Sequence, residues 1–158
     1  MKTFLSGMIA LLFLVPVLHA ELPVWIEGAA VIDLASPLNV AVQGNVLIDV
    51  VKNLQLRATL VSANLTNGFR LYLGSGLNLA ALLHLPANKK SKLSFYGVGA
   101  FGLFTGEGTT TVSLEAGPGV MLSQSKKMKL FLEGLVNFES YSGGSDVSFA
   151  IRAGVRVR

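Results

Sequence analysis

The motif in this sequence closest to known chemistry is a glycine-rich run over residues 97–102. Gly97, Gly99 and Gly102 have the spacing of a dinucleotide-binding fingerprint. That fingerprint works because a helix follows the glycines and its N-terminal amides bind the pyrophosphate. Residues 103–106, Leu-Phe-Thr-Gly, contain no helix start. We therefore interpret the glycines as strand positions where a side chain must be small, and expect no nucleotide cofactor.

Two other patterns resemble hydrolase chemistry. Ser123 and Lys126 have Ser-x-x-Lys spacing, but they fall in a predicted turn and the partner motifs of penicillin-recognising enzymes are absent. His84 is the single histidine after residue 20, and it lies among leucines, so a structural or interfacial role is the better interpretation than a catalytic one. The chain has no cysteine, so the usual zinc and iron ligands are missing. We expect no catalytic site, no metal site and no cofactor.

Carboxylates and arginines recur at mid-strand positions on one face of the predicted strands. Two of the carboxylates could form a glycosidase pair. A network of ion pairs is the better interpretation, because arginine forms bidentate pairs with carboxylates where water is scarce. The residues of this predicted network are Glu27, Arg57, Arg70, Glu115, Glu133, Arg152 and Arg156.

The elements that would position these residues are β-strands. Apolar and polar residues alternate with a period of two between turn-like clusters, and no segment after residue 20 has a capped helical period. Eight strands joined in order by short connections predict an antiparallel up-and-down barrel. Their length, mostly 10–13 residues, fits tilted strands that cross a bilayer. The predicted strands cover residues 23–33, 38–49, 54–60, 69–79, 93–104, 111–123, 129–139 and 147–158.

The distribution of charge favours a barrel whose apolar face meets lipid. Charged residues make up 14% of the chain, whereas about a quarter is usual for a soluble domain. Every lysine after residue 20 falls in or beside a connection, and the apolar faces carry no charge. If the last turn centres near Ser142 and Gly143, Glu133 lies about opposite Arg152. The faces of residues 93–104 cannot be assigned from the sequence.

Two alternatives remain from the residue pattern alone. A secreted or periplasmic lipocalin-like barrel would turn the apolar face inward and bind a hydrophobic ligand there. A narrow channel would leave the polar lumen open, although eight strands enclose space that side chains can fill. The preferred hypothesis is a structural barrel with a lumen filled by polar side chains and no enzyme activity.

The first twenty residues have the layout of a secretory signal peptide. Lys2 precedes an apolar stretch, and a small residue, Ala20, ends the segment. We expect residues 1–20 to be removed and residues 21–158 to form one barrel domain. Without cysteine, that domain has no disulfides. After removal of Lys2, 12 basic residues stand against 9 acidic ones, and this net charge of +3 gives no reason to expect nucleic acid as a partner.

Over residues 23–158 the pattern resembles the small eight-stranded outer-membrane β-barrels of Gram-negative bacteria, the class of outer-membrane protein A. The resemblance implies a monomer in the outer membrane, with envelope integrity or surface interaction as its role. It also implies outer-membrane lipid and the barrel-assembly machinery as partners. Periplasmic turns would fall at residues 51–53, 86–91 and 124–127, and outward loops at 35–37, 65–68, 105–110 and 140–145.

Two departures from that family pattern concern the loops and the last residue. The outward loops are short, which argues against adhesion or phage reception, and the chain ends in Arg158 where members usually end in an aromatic residue. Aromatic residues near strand ends are consistent with girdles at the two membrane interfaces. These are Trp25, Phe69, Phe95, Tyr96, Phe104, Phe138 and Tyr141.

Overall fold

The computed structural model describes residues 23–35, 37–66, 70–73, 76–86, 91–106 and 109–158, so the predicted signal peptide lies outside the described part. Within that part there is no helix with the length and apolar character needed to cross a membrane. The strands are β1 (Val24–Asp33), β2 (Asn39–Val51), β3 (Leu54–Asn64), β4 (Arg70–Leu73), β5 (Gly76–His84), β6 (Leu93–Gly106), β7 (Thr109–Ser123), β8 (Met128–Tyr141) and β9 (Gly144–Val157).

These strands close into a single barrel. Neighbouring strands run antiparallel, and β1 pairs with the last strand, β9, as well as with β2. β3 pairs with both β4 and β5, so these two segments together occupy the fourth of eight strand positions. The predicted fold class, an eight-stranded antiparallel up-and-down barrel, is confirmed.

Apolar side chains cover the outside of the barrel. Ile26, Val147 and Phe149 are 62%, 65% and 61% exposed, and similar outward positions occur on every complete strand. The alternate residues point into the lumen, where Glu27 and Arg152 are buried. Because side chains alternate along a strand, one face of each strand meets the surroundings and the other fills the interior. The outward apolar face is the one expected for a barrel surrounded by lipid.

The orientation of β6, which could not be assigned from the sequence, follows from the burial of its residues. Phe95 and Phe101 are exposed, whereas Tyr96 and Val98 are buried. Both faces of this strand carry apolar or small residues, so hydrophobicity alone does not distinguish them. The glycine run belongs to the middle of β6 and no helix follows it.

The interpretation of those glycines was right at one position and wrong at two. A side chain at Gly102 would collide with Ser113 on β7, so this position requires a small residue. At Gly97 and Gly99 an added methyl group would meet open space. Both of these glycines face outward, where nothing packs against them.

Two predicted outward loops are shorter than expected. Residues 105–110 were predicted as a loop, but β6 continues to Gly106 and β7 begins at Thr109. Residues 140–145 were also predicted as a loop, but β8 ends at Tyr141 and β9 begins at Gly144. Hairpin pairing continues beyond the apolar belt, where both faces are polar and the alternation that marks a strand disappears.

The prediction of aromatic girdles was wrong for two residues, Trp25 and Tyr96. These side chains are 3% and 2% exposed and lie inside the barrel, so they do not contact a membrane interface. Phe95, Phe104 and Phe138 are exposed, as expected, and so is Tyr141. Phe69 lies outside the described residues.

The interior combines an apolar cluster with charged side chains. The sequence predicted a lumen filled by polar residues, but large apolar side chains are buried there too, among them Leu47, Leu82 and Phe131. The guanidinium carbon of Arg156 lies 4.6 Å from the centre of the Phe131 ring and 5.1 Å from that of Tyr96. Aromatic faces attract such a cation, so apolar and charged groups pack together in one core.

Candidate functional site

The candidate site is a cluster of charged residues in the centre of the lumen. Strand register brings two of its pairs together, because Glu133 on β8 lies directly opposite Arg152 on β9 and Glu27 on β1 lies opposite Arg156 on β9. The expected position of Glu133 opposite Arg152 is confirmed. Directly opposed side chains on one face of an antiparallel pair are close enough to interact.

Glu133 is the centre of this cluster. Arg57 Nη1 donates to its two carboxylate oxygens at 2.8 and 3.1 Å, and Arg152 Nη1 donates to Oε2 at 3.1 Å. Arg156 Nη2 and the hydroxyl of Tyr96 donate to Oε1 at 3.2 and 2.8 Å. The Glu133 carboxylate on β8 thus joins donors from three other strands, β3, β6 and β9.

Glu27 forms a second point of attachment. Arg156 Nε donates to its Oε2 at 2.6 Å, and Asn45 Nδ2 donates to its Oε1 at 2.6 Å. Arg57 Nη1 lies 3.4 Å from the same Oε1. Arg57 and Arg156 therefore each bridge Glu27 to Glu133, and this connects β1 to β8 through the interior.

Glu115 extends the cluster toward one end of the barrel. Arg152 Nη2 donates to Glu115 Oε2 at 2.9 Å while its other terminal nitrogen holds Glu133. The side chain of Glu115 is 16% exposed, against 0% for Glu133. The cluster therefore ends at Glu115, where the lumen begins to open.

The described cluster is balanced in charge and, apart from Glu115, closed to solvent. Three arginines face three glutamates, so the formal charges cancel. Glu27, Glu133 and Arg156 are at most 1% exposed. An unpaired charge in such a place would be costly, and pairing with several hydrogen bonds offsets that cost. The arrangement can fill the lumen and fix the strand register, both of which are structural tasks.

The structure brings together six of the seven residues predicted from the sequence. The exception is Arg70, which belongs to β4 opposite Asn64, and whose side chain is outside the described part of the structure. Tyr96 and Asn45 are members that the sequence interpretation missed. Tyr96 shares the inward face of β6, and only the burial of that face reveals it.

Tyr96 is held in place by a glycine on the neighbouring strand. Gly119 on β7 lies directly opposite Tyr96, and the Tyr96 ring occupies the space that a side chain at Gly119 would need. Arg156 Nη2 donates to the Tyr96 hydroxyl at 3.1 Å, and this hydroxyl donates to Glu133. An aromatic side chain covering a glycine is a known device for fixing strand pairs.

His84 and the Ser-x-x-Lys segment have structural contacts. His84 Nε2 lies 2.8 Å from Gln55 Oε1, and its ring centre lies 5.2 Å from that of Tyr96. Ser125 Oγ accepts hydrogen bonds from the amides of Lys127 and Met128 and so shapes the turn after β7. Within the described ranges, no three His, Asp or Glu side chains come close enough together to hold a metal ion.

The two ends of the lumen differ. A cavity of about 290 Å³ opens at the end with the β1–β2 and β8–β9 turns, and polar residues such as Asp33, Gln43 and Glu139 line it together with Glu115. At the other end Trp25 closes the lumen, with Nε1 donating to Asp49 Oδ2 at 3.1 Å and Lys129 Nζ 4.1 Å from its ring centre. The cavity reaches the charged cluster at Glu115 and does not extend to Trp25.

Several solved structures are similar to this barrel at low sequence identity. A de novo designed transmembrane β-barrel matches with a TM-score of 0.55 and 14% identity, over 85% of this chain and 92% of the other. The N-terminal β-barrel domain of Pseudomonas aeruginosa OprF matches with a TM-score of 0.55 and 13% identity, over 84% and 96% of the two chains. Neisserial surface protein A (NspA) matches with a TM-score of 0.50 and 14% identity, over 85% and 94%.

No protein-family model matches the chain, and no curated protein is similar to it in sequence. The comparisons therefore bear on the fold. The chain has the fold of small transmembrane β-barrels, as the resemblance to eight-stranded outer-membrane barrels implied.

Proposed function

We propose that this protein is a structural outer-membrane β-barrel with a lumen filled by side chains, and that it acts in envelope integrity or surface interaction. The observation that carries the proposal is the distribution of side chains in a closed sheet. Apolar residues are exposed around the outside, while Glu27, Glu133 and three arginines are buried inside. Only a lipid surround makes this distribution favourable, because an aqueous surround would leave the apolar belt in contact with water.

A lipocalin-like carrier has less support. It requires an apolar interior for a hydrophobic ligand, but carboxylates and amides such as Asp33, Asn39 and Glu139 line the cavity in this barrel alongside apolar side chains. A hydrophobic ligand there would remove polar groups from water without replacing their hydrogen bonds.

A narrow channel also has less support. Arg57, Arg152 and Arg156 cross the lumen to reach Glu27, Glu115 and Glu133. A hydrated ion would have to separate these pairs in order to pass, and each separated charge would lose its compensation.

The proposal includes a location and partners. Residues 1–20 would direct export, and outer-membrane lipid would surround the apolar belt. The barrel-assembly machinery would insert the chain, and the barrel would function as a monomer, since β1 and β9 pair with each other instead of remaining as edges for a second copy.

The test is the migration of boiled and unboiled protein on a detergent gel. The full chain is expressed in a Gram-negative host, and the washed outer-membrane fraction is analysed. We expect the protein in that fraction, with the unboiled band migrating faster because the closed barrel resists the detergent until it is heated. Recovery in the soluble periplasmic fraction, with the same migration for boiled and unboiled protein, would overturn the proposal and favour the carrier alternative.

A further inference from the structure

The exposed charges of the described residues differ in sign between the two ends of the barrel. Four exposed lysines, which we call the lysine rim, lie at the end that also carries both termini of the barrel. Asp146 is exposed at the opposite end, where Asp33 and Glu139 line the cavity. The members of the lysine rim are Lys52 in the β2–β3 turn, Lys92 immediately before β6, and Lys126 and Lys127 in the β7–β8 turn.

The lysine rim takes no part in the ion pairs of the described residues. All of those pairs lie within the lumen cluster, and each is made by an arginine. The rim side chains are exposed and directed to the surroundings of the barrel. Their positive charge is therefore not accounted for by the interactions that hold the fold together.

The lysine rim surrounds the barrel at the edge of its apolar belt. Its members belong to three connections on different sides of the closed sheet, β2–β3, β5–β6 and β7–β8. Exposed apolar residues adjoin it in sequence: Val51 precedes Lys52, Leu93 follows Lys92, and Met128 follows the β7–β8 turn. Lipid headgroups surround a barrel at the edge of its apolar belt, and they would therefore contact all three connections at once.

We propose that the lysine rim binds the phosphate groups of anionic phospholipids in the membrane leaflet at the end of the barrel where β1 begins and β9 ends. This inference rests on the proposed function, because it requires the barrel to span a bilayer. Each lysine close to an anionic membrane surface strengthens attraction by about fivefold. The exposed carboxylate of Asp146 at the far end would be repelled by the same lipid, which adds an orientation preference.

The test measures lipid selectivity around the folded barrel. The protein is folded into phosphatidylcholine vesicles with a trace of spin-labelled phosphatidylglycerol or spin-labelled phosphatidylcholine, and the fraction of motionally restricted label gives the relative association of the two lipids. We expect a preference of about threefold or more for phosphatidylglycerol, which decreases at high salt. Equal association of the two lipids would overturn the proposal.

Two variants separate charge from other causes. Replacing Lys52, Lys92, Lys126 and Lys127 together with glutamine should strongly reduce the preference, whereas replacing the same four with arginine should preserve it. An undiminished preference in the glutamine variant would also overturn the proposal. Heat-modifiable migration of each sample reports separately whether the barrel has inserted. A barrel that inserts but shows no lipid selectivity would refute only lipid binding by the lysine rim. A protein that never inserts would refute the proposed function as well.

Discussion

At the scale of single residues, the lumen cluster is a set of mutually dependent charges. Glu133 accepts hydrogen bonds from Arg57, Arg152, Arg156 and Tyr96, and each arginine also contacts a second carboxylate. Removing one member therefore leaves an uncompensated charge in a place closed to water. Such a loss is larger than the loss of an exposed ion pair, because an exposed charge recovers its hydration.

Replacing Arg152 with leucine should strongly destabilise the barrel, since Glu133 and Glu115 each lose a partner. We expect a decrease of about 3–5 kcal/mol in the free energy of unfolding. Urea unfolding in detergent micelles measures it, with the fluorescence of the single tryptophan, buried Trp25, as the signal. The control is Lys127→Leu, which removes a positive charge at an exposed position in the β7–β8 turn, and for which the loss should be below about 1 kcal/mol. Equal losses in the two variants would contradict the role of the cluster.

Part of this cluster could be predicted at the residue scale and part could not. Six members could be identified because they are arginines and glutamates at mid-strand positions on one face. If that face is buried, each of these charges needs a partner of opposite sign. Tyr96 and Asn45 were missed, since tyrosine and asparagine occur on either face of a strand. Only the inward direction of β6 and the 2.6 Å contact between Asn45 and Glu27 reveal their part.

At the scale of strands, pairing across the β6–β7 hairpin determines where Tyr96 points. Gly119 lies opposite it and leaves space for its ring. Because Gly119 has no side chain, the Tyr96 ring can occupy the space beside it. In this position the Tyr96 hydroxyl donates a hydrogen bond to Glu133 in the lumen. A side chain on β7 at this point should therefore disturb the charged cluster without touching any charge.

Replacing Gly119 with alanine tests this relation. The new methyl group would collide with the Tyr96 ring, and we expect a loss of about 1–3 kcal/mol in stability. The matched control is Gly97→Ala on β6, where the added methyl group meets open space and stability should change by less than about 1 kcal/mol. Thermal unfolding in detergent gives both values. If the two variants melt at the same temperature, Gly119 does not position Tyr96.

The alternation of residues predicted most strands but not their irregularities. β2 and β3 change register between Gly44 and Asn45, which lie opposite Val61 and Thr59, so Leu60 is an extra residue on β3. Such a bulge moves later side chains to the other face, and a period-two pattern does not contain that information. The extension of the hairpins to Gly106 and Thr109 was missed for a related reason, because strand residues beyond the apolar belt do not alternate.

At the scale of the whole molecule, the direction of the apolar face decides the environment. The sequence predicted a closed barrel from eight consecutive strands, and the low fraction of charged residues favoured lipid outside. It did not predict that Trp25 would close one end while a cavity of about 290 Å³ opens the other. Those features depend on which strand ends meet, and that follows from closure in three dimensions.

Replacing Leu132 with arginine tests the lipid-facing surface. Leu132 is 49% exposed in the middle of β8, so the charge would enter the apolar belt and cost about 2–4 kcal/mol near the bilayer centre. Folding into phosphatidylcholine vesicles, measured by urea titration, should be weakened by that amount. Ser145→Arg, near the start of β9 beyond the belt, is the control and should have little effect. In a barrel surrounded by water both substitutions would be harmless, and this outcome would refute the assignment.

The contact between Glu27 and Arg156 joins residues 129 positions apart in the chain. These two side chains meet only when the first and last strands pair, so sealing the barrel and neutralising its interior occur in the same event. In an intermediate in which β1 and β9 are not yet paired, Glu27 and Arg156 would lack each other as partners. Partial closure of the barrel would therefore add little stability. We therefore expect the last step of folding to be cooperative. Opening the barrel between β1 and β9 would break the strand pairing and the central ion pairs together, so we expect unfolding by this route to be slow.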